Sequence, residues 1–254
     1  MIREFHLADW FTLGNAVCGT GALFSVMSYL QSRDAIHILF ACALVLVALV
    51  FDVLDGRIAR WRQVSSALGR ELDSLADVIS FGVAPAVIAY GCGMQGGYDR
   101  IILVFFVACG VSRLARYNVT AEELSEGTGK VKYFEGTPIP TSIVLVGLLA
   151  LAAGTGAVRE QLWLGKVMLG GFTLHPLVLL FALSGALMIS RIPTWSFKNT
   201  TIYAENARFV LLGVISGLAA LVTFPWETLM LADLLYLGGI VLAWRSKRRA
   251  VEED

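Results

Sequence analysis

The sequence predicts an all-α fold: a polytopic membrane-embedded helical bundle of about eight transmembrane helices. Three observations predict it. The first is composition: 57% of the 254 residues are hydrophobic, only 16% are charged, and the mean hydropathy is +0.71. A soluble domain carries about 25% charged residues. The second is the set of apolar segments near 20 residues, the length that crosses a bilayer. They fall at roughly 10–31, 35–60, 70–94, 98–118, 138–156, 172–190, 206–224 and 227–245. The third is the distribution of the 20 basic residues. With the N-terminus inside, sixteen of them collect at cytoplasmic ends and loops, and only Arg33, Arg100, Arg159 and Lys166 fall on the other side. That positive-inside bias predicts an even number of spans with both termini cytoplasmic.

The elements follow in order. Residues 1–9 mix charge with bulky apolar groups and suit an interfacial lead-in. The run from Trp10 to Leu30 is too long for the core of a cleavable signal and reads as the first span. Trp10, Trp226 and Trp244 fall at span ends, as an aromatic belt places them. Gly82, Pro85 and Ala86 read as packing and kink residues of the third span. The stretch 119–137 is the longest polar connection, and loops of that length are often functional. Residues 157–172 read as a loop or re-entrant piece, and 246–254 as a cytoplasmic tail. The whole is one membrane domain: a core over 10–192 and two additional spans over 206–245. No repeat or low-complexity linker interrupts it. The short lead-in favours a bacterial inner membrane over endoplasmic reticulum.

Some functions are disfavoured early. Formal net charge is zero, so no global field points to nucleic acid. Cys18, Cys42, Cys92 and Cys109 have no metal-ligand or redox spacing and read as small buried apolar residues. His6, His37 and His175 are scattered near helix ends; His175, just before Pro176, is the one that stands out.

The chemistry concentrates between Asp52 and Asp77. Asp52, Asp55, Gly56 and Ala59 fall at i, i+3, i+4 and i+7, one face of a helix. Gly69, Asp73, Ala76, Asp77 and Ser80 fall on one face of the next. A short turn near Arg62 to Ser66 makes the two antiparallel neighbours, so the acidic faces can meet at the cytoplasmic membrane edge. Carboxylates near hydrocarbon are costly and usually functional. Four together cannot all ionise unaided, because like charges oppose one another. Divalent cations remove that cost, and hard oxygen ligands select Mg²⁺ or Mn²⁺. Two ions close together are the usual arrangement for phosphoryl-type chemistry. The small residues leave room for a substrate. The competing reading is an interfacial charge cluster with Arg57, Arg60, Arg62 and Arg70. A transporter would also use intramembrane acids, but near the midplane on broken helices and between paired repeats.

The motif D-x2-D-G-x2-A-R-x8-G-x3-D-x3-D, filled by Asp52, Asp55, Gly56, Ala59, Arg60, Gly69, Asp73 and Asp77, resembles the signature of the CDP-alcohol phosphotransferases. The resemblance implies a six-helix core. It implies two divalent cations held by Asp52, Asp55, Asp73 and Asp77. It implies a CDP-activated lipid at Gly56, Ala59, Arg60 and Gly69, CMP as leaving group, and Asp77 as the base. A homodimer is expected on the same ground.

Ser112-Arg113-Leu114-Ala115-Arg116-Tyr117-Asn118-Val119 and Lys132-Tyr133-Phe134-Glu135-Gly136-Thr137-Pro138-Ile139-Pro140 resemble the phosphatidylserine synthase branch, the fungal membrane-embedded type especially. Tyr117 departs from the phenylalanine usual there. This implies CDP-diacylglycerol and L-serine as substrates; inositol, glycerol 3-phosphate or choline are the alternatives. Arg113 and Arg116, three apart, suit a carboxylate held in bidentate fashion. Nucleotide phosphate or snorkelling anchors are the alternatives for both. Tyr117 and Asn118 join them as candidate serine-binding residues. Lys132 and Glu135 are on a loop that is either a lid or plainly solvated. Asn15, polar at membrane depth, faces the nucleotide pocket or makes a helix–helix hydrogen bond.

Overall fold

The computed structural model describes residues 6–62, 67–126, 134–190 and 193–194. They belong to two compact units. The larger contains the described residues up to 126 and from 137 to 189. In the smaller, strand β1 (Phe134–Glu135) pairs antiparallel with β4 (Pro193–Thr194). The seventh and eighth predicted spans, the tail, residues 63–66 of the predicted turn and Lys132 lie outside the described residues.

Helix α1 spans Leu7–Ser32, so it begins inside the stretch read as a lead-in. The His6 backbone N–H donates to Asp9 Oδ2 at 2.7 Å and closes its first turn. Arg33 ends it in the left-handed conformation, its N–H bonding to the Tyr29 carbonyl at 2.8 Å. Asp34 Oδ1 accepts from the Ile36 N–H, and the chain reverses at once into α2 (Ile36–Arg62). The two helices pack antiparallel, with Ser25 Oγ donating to the His37 carbonyl at 2.8 Å.

The third span is one rod in three parts: α3 (Ala67–Asp77), a π-helical turn (Val78–Val83) and α4 (Ala84–Cys92). The kink expected at Pro85 takes the form of this wide turn. Proline cannot donate to the preceding turn and its ring crowds it. The Ala84 N–H bonds five residues back, to Ile79 O. α4 ends at Gly93, whose φ of 125° and 2.5 Å approach of a built Cβ to Arg159 Cα leave no place for a side chain.

Helix α5 runs from Gly97 to Glu126. It therefore continues well into the stretch expected to be a polar loop. Ala121, Glu122, Glu123 and Leu124 are good helix formers, and the helix continues without a hydrophobic requirement. A 3₁₀ turn (Ile139–Ser142) opens α6 (Ile143–Gly154). Residues 157–172 form a 3₁₀ turn (Arg159–Gln161) and the outer part of a hairpin, β2 (Val167–Leu169) with β3 (Phe172–Leu174). The sixth span thus starts later than expected: α7 is Leu179–Ile189, entered through Pro176–Val178.

Among the described residues three helices are long and apolar enough to cross a membrane: Leu7–Ser32, Ile36–Ile58 and Leu68–Cys92. Packing agrees with a lipid solvent. Tyr29, Phe81, Phe106, Ile88 and Phe181 are fully buried, and Phe106 meets Phe181 edge-on at 5.2 Å, joining α5 to α7. Val17, Phe24, Val104 and Ile101 are exposed, as lipid-facing side chains are. All four cysteines are buried and free, as expected.

Candidate active site

Three rods build the site. α2 brings Asp52 and Asp55 and α3 brings Asp73 and Asp77, each pair on the face its spacing predicts. One carboxylate oxygen from each of Asp52, Asp55 and Asp73 can be chosen so that all lie within 4.8 Å of one another. Asp55 and Asp77 are buried, and Asp52 and Asp73 half-buried. Asp77 stands beside this trio, within electrostatic reach of all three. Arg57 and Arg70 are exposed, and the side chains of Arg60 and Arg62 lie outside what the structure describes.

The donor set fits a divalent cation. Three carboxylates converge, and Asp73 Oδ1 is buried without a hydrogen-bond partner among the described residues. An orphaned carboxylate oxygen is costly unless something cationic completes it.

The third rod, α1, was the less legible one. Thr12 Oγ1 donates to Asp55 Oδ2 at 2.7 Å. Asn15 Nδ2 donates to Asp77 Oδ1 at 3.2 Å, and the Asn15 carbonyl accepts from Ser80 Oγ at 2.9 Å. Asn15 therefore makes the helix–helix bond that was one of its two readings. Close approach permits it: a Cβ built on Gly19 would come within 2.4 Å of Ser80 Oγ and 2.9 Å of Ser80 Cα. Thr12 carried one signal that reasoning on single residues missed, its i, i+3 spacing to Asn15 on a common face.

Gly56 and Gly69 are half-buried beside the acids. Ala59 and Arg60 lie in the last turns of α2, and their side chains are outside what the structure describes. On α5 the Arg113 guanidinium lies over the Tyr117 ring, 5.5 Å from its centroid, and interacts electrostatically with Asp77. Arg116 is exposed, its Nη2 3.5 Å from the Ile189 carbonyl, so the two arginines diverge. Asn118 Nδ2 donates to Ser74 Oγ at 3.0 Å and to Glu71 Oε1 at 3.3 Å, tying α5 to α3. Glu135 sits in β1 of the smaller unit.

The family described as CDP-alcohol phosphatidyltransferase matches residues 5–188, which include every described helix but the last residue of α7. The chain belongs to that family. Among relatives, a yeast (Saccharomyces cerevisiae) protein named CDP-diacylglycerol–serine O-phosphatidyltransferase is 42% identical over 194 residues, 75% of this chain and 70% of that one. A Helicobacter pylori protein of the same name is 34% identical over 239 residues, 92% of this chain and 89% of that one. An archaetidylserine synthase from Methanothermobacter thermautotrophicus is 36% identical over 149 residues, 58% of this chain and 60% of that one. Membership makes the chain a membrane-embedded transferase, and the acidic group lies within the residues matched.

Proposed function

We propose that this chain transfers the phosphatidyl group of CDP-diacylglycerol to the hydroxyl of L-serine, giving phosphatidylserine and CMP. The observation that carries the reading is the convergence of Asp52, Asp55 and Asp73 with Asp77 alongside. Membership of the family and the names of the relatives support the choice of substrates.

The reaction is a direct displacement. The serine oxygen bonds to the β-phosphorus, the bond from that phosphorus to the bridging oxygen breaks, and CMP leaves with the electron pair. Asp77 takes the hydroxyl proton. Asp52, Asp55 and Asp73, with Asp77 at the border, hold two divalent cations, Mn²⁺ or Mg²⁺. When bound, these neutralise charge building on the diphosphate oxygens. Gly56, Ala59, Arg60 and Gly69 seat the CDP moiety. The half-buried Asp52 has exposed Val50 and Val53 beside it on α2, so lipid tails reach the site sideways from the bilayer. Arg113 and Tyr117 meet the serine carboxylate; Arg116 and Asn118 flank that pocket. The site faces the cytoplasm, both termini lie on that side, and the working unit is a homodimer.

The test is CMP release by the purified protein given CDP-diacylglycerol and Mn²⁺ or Mg²⁺, with serine, inositol, glycerol 3-phosphate or choline in parallel. Release with serine alone is expected. Release with a different alcohol alone overturns the substrate, and no release with any overturns the reaction.

A further inference from the structure

α1 contributes no residue to the acidic signature, yet it touches two of the four carboxylates. Thr12 and Asn15 are three residues apart, on one buried stripe with Asp9 and Cys18. Thr12 is 4% exposed and Asn15 fully buried. The Thr12 hydroxyl has one hydrogen and two acceptors in range, Asp55 Oδ2 at 2.7 Å and the Ala8 carbonyl at 3.3 Å. The shorter, charge-assisted bond takes it. The Asn15 amide offers hydrogens from Nδ2 alone, so Asp77 Oδ1 must be an acceptor. Its other end, Asn15 Oδ1, is buried without a hydrogen-bond partner among the described residues.

From this geometry, and resting on the reaction proposed above, we infer that Thr12 and Asn15 are positioning residues. Each hydrogen-bonds one oxygen of a carboxylate and thereby fixes the orientation of that carboxylate. Thr12 holds Asp55 through Oδ2. Asn15 holds Asp77 through Oδ1. The pair acts as a unit because both side chains project from one helix, and Ser80 pins that helix to the π-helical turn immediately after Asp77. The wide turn is then more than an accommodation of Pro85: it presents Ser80 to the Asn15 carbonyl, where the close contact at Gly19 allows it.

Outer hydrogen bonds to metal-binding carboxylates are worth about 10–100-fold in metal affinity or activity. The experiment uses the full chain in detergent, with Mn²⁺ affinity read from the free-ion electron paramagnetic resonance signal and with kcat and KM for CMP release. Thr12→Val keeps the shape and loses the hydroxyl; it should weaken Mn²⁺ binding about 10–100-fold, and Thr12→Ser should restore it. Asn15→Leu should lower kcat on the same scale with KM for CDP-diacylglycerol held. Unchanged Mn²⁺ affinity in Thr12→Val, or equal loss in Thr12→Val and Thr12→Ser, overturns the role of Thr12. Unchanged kcat in Asn15→Leu overturns that of Asn15. Variants are compared at matched thermal midpoints, which separates positioning from folding. Mn²⁺ binding uses no serine, so a wrong substrate shows in the wild-type assay and a wrong inference shows in the variants.

Discussion

Two ends of the larger unit each bury acid, and they treat it in opposite ways. At the end where α4 hands over to α5, Asp99 is fully buried and both of its oxygens are used. Oδ1 accepts from the His175 N–H at 2.8 Å; Oδ2 accepts from the Gly96 N–H at 2.8 Å and lies 2.6 Å from His175 Nδ1. This ties the turn before α5 to the entry of α7. At the other end, Asp73 keeps an oxygen with no hydrogen-bond partner among the described residues, and three carboxylates crowd one another. Satisfied acid is a clasp. Clustered acid with an unpartnered oxygen can hold a cation, because like charges crowded together are costly without one. His175, the histidine that stood out in the sequence, belongs to the clasp.

The largest expected effect falls at the unsatisfied end. Asp73→Asn should cut CMP release by at least about 10²–10³-fold in a well-folded protein, since it removes a preorganised electrostatic contact. Near-normal turnover would abolish the contrast. Stripping with a chelator should silence the wild type, and Mn²⁺ or Mg²⁺ should restore it; full activity in stripped enzyme would do equal damage. Arg113→Lys should raise KM for serine about tenfold while leaving KM for CDP-diacylglycerol alone, because lysine lacks the planar fork and stacks poorly on Tyr117. The clasp should give the smallest change in chemistry. His175→Ala should lower the thermal midpoint, a cost of about 1–3 kcal/mol for taking a hydrogen-bond partner from a buried carboxylate, with turnover retained at low temperature. If instead activity vanished while the melting curve stayed put, the two ends would not differ as described.

Much of this was legible in the chain. The aspartate spacings are helix periodicity, which operates within a few residues, and the structure puts Asp52, Asp55 and Asp73 together as those spacings imply. The cysteines, the first three spans and the irregular turn near Pro85 were equally local matters. The sixth span was misplaced at its start because Phe172, Thr173 and Leu174 are apolar enough for a span, yet pair as a strand with Val167–Leu169. Hydropathy measures burial in lipid and is blind to pairing. α5 overran its predicted end because the hydropathy criterion stops at the membrane edge and helix propensity does not.

The sequence by itself determined a lipid-embedded helical protein and which acids share a helix face, since composition and i, i+3, i+4 spacing express themselves over one or two turns; its family was legible as the resemblance of one motif. Tertiary structure alone decided who attends those acids. Thr12 reaches Asp55 across 43 residues, Asn15 reaches Asp77 across 62, and Asp99 finds His175 across 76. Such partners depend on which helix faces which and how closely glycines let them approach, and no local pattern records that.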